Sequence, residues 1–100
     1  MLKQVFYRIR QKDWPLFYNG YRLKTVRNHY GFYRVEDVIV WSKISFYTCT
    51  RLDTAKHHIA LIKDLQPSLD ITDDLILEKC TIGEVEEISI KDIMGVKYAR

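Results

Sequence analysis

The chain has 100 residues, 47% hydrophobic and 29% charged, with four Gly, two Pro and a formal net charge of +3 at neutral pH. That length gives one domain, residues 1–100, able to bury a continuous core, and the composition excludes a disordered or low-complexity chain. No apolar run reaches the ~18 residues of a membrane span, and Lys3 is not followed by a signal-peptide core, so the expectation is a protein neither secreted nor inserted.

Residues 2–10 alternate, with Val5, Tyr7 and Ile9 on one side and Gln4, Phe6, Arg8 and Arg10 on the other, as in a half-buried strand. Asp13-Trp14-Pro15 interrupts it, and Leu16-Phe17-Tyr18 returns as the second strand of a hairpin. Asn19-Gly20, a strong turn dipeptide, is expected to end that strand, leaving Tyr21 to His29 irregular or extended. Phe32 to Val35 and Val38 to Trp41 read as one bent strand or two, with Glu36-Asp37 between them. Ile44 to Thr48 is β-branched and aromatic and reads as a further strand. Thr50 or Asp53 offers a helix cap. Leu52, Ala55, Ile59 and Ile62, with Leu61 and Leu65, then recur at helical spacing up to Pro67. After a polar connector, 68–74, the segments Leu75 to Leu77 and Val85 to Ile90 read as one or two closing strands. Residues 91–100 are a short helical turn or a frayed tail. The fold class expected is α+β: an antiparallel sheet of four to six strands with one main helix, about 51–65, packed on one face.

Cys49 and Cys80 lie 31 positions apart with no C-x-x-C spacing, which favours two reduced thiols over a disulfide. His29, Cys49, His57, His58 and Cys80 are too scattered for a structural zinc site, and no metal or cofactor is expected. On the helix, His57 and His58 point about 100° apart, so one should face the sheet and the other solvent. Asp70, Asp73 and Asp74 lack the Gly and Glu spacing of a calcium loop and read as a solvated connector.

The strongest functional signal is an asymmetry. Residues 1–50 hold nine Lys/Arg, three Asp/Glu and twelve of the thirteen aromatics, whereas residues 51–100 hold seven Lys/Arg and ten Asp/Glu. The halves therefore carry +6 and −3. Rings and cations together suit a protein interface, where Tyr, Trp and Arg are enriched among hot spots, and also suit single-stranded nucleic acid. The candidate partner-binding residues are Arg8, Arg10, Trp14, Tyr21, Arg22, Lys24, Arg27, His29, Tyr30, Arg34 and Lys43. Arg22, Lys24, Arg27 and Arg34 give the run Tyr21 to Arg34 a charge of +4 with no acid. No catalytic signature stands out. A small ribonuclease of the bacterial toxin type, using Tyr30, Arg34, Lys43 and Tyr47, is the third reading, by fold-level analogy.

Tyr7-Arg8-Ile9-Arg10, Leu16-Phe17-Tyr18, Trp41-Ser42-Lys43, Phe46-Tyr47-Thr48 and the helix with Lys56 and His58 together resemble small uncharacterised proteins of tailed bacteriophages. The likeness spans roughly residues 5–62. Trp14-Pro15 stands where that group usually has a Thr-Gly turn, and Ile44-Ser45 where it has Gly-Lys. The resemblance implies a non-enzymatic accessory protein in the bacterial host cytoplasm that binds and modulates a host macromolecule. A host protein is the favoured partner and nucleic acid the alternative.

Overall fold

The computed structural model describes residues 4–94. Five strands form one antiparallel sheet in the order β3-β2-β1-β4-β5. They are β1 (Phe6–Gln11), β2 (Phe17–Arg27), β3 (Tyr33–Ser42), β4 (Leu75–Thr81) and β5 (Glu84–Ser89), joined by α1 (Leu52–Leu65), α2 (Ile71–Asp74) and α3 (Ile90–Met94). This is the α+β architecture the periodicity predicts, with α1 packed on the sheet.

The alternation in β1 works as expected: Ile9 is buried and Tyr7 packs against the core, while Arg8 and Arg10 lie on the opposite, open face. Leu77 sits opposite Ile9 in the adjoining strand and joins it in the core. From α1, Ala55, Ile59 and Ile62 supply the helical layer, the three-and-four spacing read from the sequence. Arg51 occupies the N-cap position and makes no side-chain cap bond, so neither Thr50 nor Asp53 is the cap. The connector 68–74 contains α2, capped by Asp70, whose carboxylate accepts from the backbone N–H groups of Thr72 and Asp73. The Thr72 hydroxyl, which also donates to this carboxylate at 2.7 Å, and then these backbone bonds hold the Asp70 carboxyl below its ordinary range. The short helical turn expected near the end is α3; residues 95–100 of that segment lie outside the described residues.

Two further local expectations fail and one question left open, one strand or two across Glu36-Asp37, is decided as one, each for a tertiary reason. Asn19-Gly20 does not end β2: Gly20, at φ +85°, forms an irregularity and the strand continues to Arg27. Glu36-Asp37 makes no break, because both residues pair in register with Lys24 and Leu23 inside the continuous β3. Ile44 to Thr48 is not a strand. Strands β1 and β2 pair only at Arg10 and Phe17 and then diverge. The segment after β3 fills the opening, with Tyr47 N–H donating to Tyr18 C=O and Cys49 bridging Tyr7.

The result is elongated, 58 × 30 × 24 Å, with a radius of gyration of 15.2 Å against about 13 Å for an ordinary domain of this length. The excess comes from β2 and β3, which run past the body as a two-stranded arm of about 25 Å, taking roughly 3.3 Å per residue from Gly20 to Arg27.

Candidate partner-binding arm

Register decides what each side of the arm displays. From Tyr21 onward Tyr21 opposes Ile39, Leu23 opposes Asp37, Thr25 opposes Val35 and Arg27 opposes Tyr33. These residues share the face on which Ile39 and Trp41 pack against the core. The apolar stripe thus continues beyond the body with nothing packed on it among the described residues. Leu23 is 69% exposed, Val35 62% and Tyr33 67%, and Tyr21 is more than half exposed. The opposite face carries Arg22, Lys24 and Arg34, with Glu36, Val26 and Val38 between them.

The irregularity at Asn19-Gly20 sets this phase. Tyr18 pairs with Trp41 and Tyr21 with Ile39, so β2 spends one more residue than β3 over that stretch. In a regular strand the residues sharing the face of Tyr18 would be 20, 22, 24 and 26, and the cations would point to the helix side. The extra residue moves Tyr21 and Leu23 there instead.

At the tip, Asn28 Oδ1 accepts hydrogen bonds from Tyr30 N–H at 2.9 Å and Phe32 N–H at 3.0 Å, and Gly31 takes φ +88°. This turn presents the rings of His29 and Tyr30, tilted against each other with centres 4.2 Å apart, and the exposed Phe32. Arg27 lies 5.7 Å from the centre of the Tyr33 ring. Among the described residues Arg22 and Lys24 make no ion pair, and Arg34 reaches only the neighbouring Glu36 at 3.4 Å. The arm's cations are therefore open to solvent.

Of the residues nominated from sequence, the arm gathers Tyr21, Arg22, Lys24, Arg27, His29, Tyr30 and Arg34. The others lie on the body. Arg8 and Arg10 hold Glu78 between them, their Nε atoms 2.6 and 2.9 Å from its two carboxylate oxygens, and Arg10 also pairs with Glu87. Burial alone would lower the Arg10 pKa, but the two carboxylates outweigh it and raise the value. The Arg8 guanidinium lies 4.7 and 4.8 Å from the Phe17 and Phe46 ring centres. Both arginines are thus engaged within the molecule, which leaves them less available than those of the arm. Trp14 is exposed in the β1–β2 turn, lining a shallow hollow with Arg10 and Phe17. Lys43 is exposed just after β3. The ribonuclease grouping is not assembled, since Tyr30 is at the arm tip while Tyr47 packs beside Tyr18 in the body.

Leu23, Phe32, Tyr33 and Val35 belong to the exposed surface and were not among the nominated residues. The alternation Tyr21-x-Leu23 and Tyr33-x-Val35 is visible in the sequence, but period-two apolar residues ordinarily signal burial.

The second histidine pair member takes a structural place. Tyr18, fully buried, lies 2.6 Å from His58 Nδ1, whereas His57 is exposed. Burial, aided by Tyr47 and Tyr21, pushes the Tyr18 pKa up to about 12, so the phenol keeps its proton. Burial and the neighbouring His57 lower that of His58. A protonated phenol and a neutral imidazole therefore share this hydrogen bond. Both cysteines are free thiols, with pKa values raised by burial. Among the described residues no cluster of three or more His, Cys, Asp or Glu side chains could hold a metal, and no helix is long and apolar enough to cross a membrane.

Compared with protein families, curated proteins and solved structures, the chain matches none of them.

Proposed function

We propose that this chain is a phage-type accessory protein that binds a host protein through the arm, and acts in the bacterial cytoplasm by modulating what it binds. The observation that carries the reading is the apolar stripe Tyr21, Leu23, Val35 and Tyr33, which projects beyond the core and is exposed along its length. Aliphatic Leu23 and Val35 gain from burial against another apolar surface, at about 25 cal/mol per Å² removed from water. They offer no base-stacking face and no phosphate contact. Arg27, Tyr30 and Tyr33 add the ring and guanidinium character of interface hot spots. The likeness to tailed-phage proteins supports a partner in the bacterial host.

The test introduces a photo-crosslinking residue at Thr25, exposed on the same face as Leu23 and Tyr33, and exposes bacterial lysate to the protein. A single host protein should be captured, and Leu23→Asp with Tyr33→Asp should abolish capture while the circular dichroism spectrum stays unchanged. Capture that survives the double substitution would sink the reading.

A second reading, single-stranded nucleic acid, is favoured by Arg22, Lys24 and Arg34 lying together on the opposite face. It predicts binding whose log-log salt slope is about −0.7 per neutralised phosphate. The substitutions Arg22→Ser and Lys24→Ser, rather than Leu23→Asp, should then remove it.

A further inference from the structure

We infer that β3 is a self-association edge, on which β3 of a second copy of this chain pairs antiparallel about a two-fold axis through Val35. Strand β3 is the terminal strand of the sheet, ten residues long, and among the described residues no other strand pairs with its outer side. A long strand edge offers a row of backbone donors and acceptors that pairs readily with another chain.

Symmetry and charge together choose the register. Two antiparallel strands lying side by side are related by an axis normal to the sheet, which keeps each face on its own side and passes through one residue of each strand. A centre on Arg34, Glu36 or Asp37 would set that charge directly against its own copy, which destabilises a cross-strand pair. Centres on Val38 or Ile39 leave Glu36 and Asp37 opposite uncharged residues. Val35 alone among these positions brings opposite charges together: Arg34 faces Glu36 of the other copy, twice by symmetry, with valine against valine on the axis. Within one chain the Arg34–Glu36 contact is only a solvent-exposed pair at 3.4 Å, so both groups are free to exchange it for the cross-strand partner. The register pairs Tyr33 to Asp37 of the two copies and sets each tip, Tyr30 to Phe32, beside Val38 to Val40 of the other copy. The two five-stranded sheets become one, and the exposed faces of both arms lie on the same side. This inference does not depend on the partner-binding reading, because it concerns the strand edge and needs no host molecule.

The experiment is sedimentation velocity on the full chain from micromolar to millimolar concentration. The unmodified protein should populate a dimer as concentration rises. Arg34→Glu alone sets two glutamates against each other at both positions, and Glu36→Arg alone sets two arginines. Each should weaken the dimer roughly tenfold. An equimolar mixture of the two single variants should restore dimer, because the glutamate introduced in one chain then meets the arginine introduced in the other across the axis. The double exchange in one chain should restore it too. Val35→Cys should form an intermolecular disulfide under mild oxidation. A monomer at every concentration, or a dimer indifferent to the single charge reversals, overturns the inference.

Discussion

The body and the arm are built from the same kind of alternating aromatic and aliphatic strand, yet they use it in opposite ways. In the body the strand residues on the core face, Tyr18, Ile9 and Leu77 among them, are sealed from water. In the arm the residues on that same face, Leu23, Val35 and Tyr33, are mostly exposed. A two-stranded ribbon is marginal by itself, so the arm holds its shape because its strands are continuous with the sheet. Burial therefore follows from what lies across the face and not from the pattern of the strand. An alternating strand builds stability where a helix covers it and a contact surface where none does.

That contrast can be broken first in the core. Leu77→Ala should cost about 2–5 kcal/mol by urea denaturation, since it leaves a cavity against Ile9 and α1, whereas Leu23→Ala in the arm should stay within about 0.5 kcal/mol. Equal losses would mean that the arm is packed in solution. Glu78→Ala should cost about 3 kcal/mol, because a carboxylate only 6% exposed is removed from between Arg8 and Arg10. The same measurement on Glu36→Ala should show almost nothing, as its arginine pair is exposed.

The Tyr18–His58 pair sharpens the comparison through pH. His58→Ala leaves a buried phenol without its hydrogen-bond partner and should cost about 1–3 kcal/mol. The folded pKa of His58 lies below the ordinary 6.5, so between the two values the unfolded chain binds more protons than the folded one. The stability this pair contributes is present above pH 6.5 and is lost as pH falls through the lower folded value. Thermal melts of the parent should show that loss, and melts of His58→Ala should lack this component. A smaller loss than these core changes lies where arm and body meet. Gly20→Ala forces a side chain into φ +85° and should cost about 1 kcal/mol, with nothing nearby for the added methyl to strike. Its amide hydrogen exchange should rise in β2 and β3 and stay unchanged in β4.

Much of this was legible from the residues, and the rest fails for reasons that can be named. Helix α1 is clear because Ala55, Ile59 and Ile62 repeat at the helical period and Pro67 follows. The strand β1 is clear because only alternate residues are apolar. Asn19-Gly20 misleads because a residue with positive φ serves a turn and a bulge equally well, and local chemistry does not distinguish them. Arg8 and Arg10 look like free cations because Glu78 is distant in sequence and meets them only across β1 and β4.

The sequence by itself determined the α+β class, the position of the main helix and the concentration of rings and cations in the first half, since periodicity and composition are local properties. Only the tertiary structure decided which of those groups meet water. Strand divergence, one extra residue in β2 and the limited reach of α1 divide the same alternating pattern into a sealed core and an open arm. Each of these depends on partners far away along the chain.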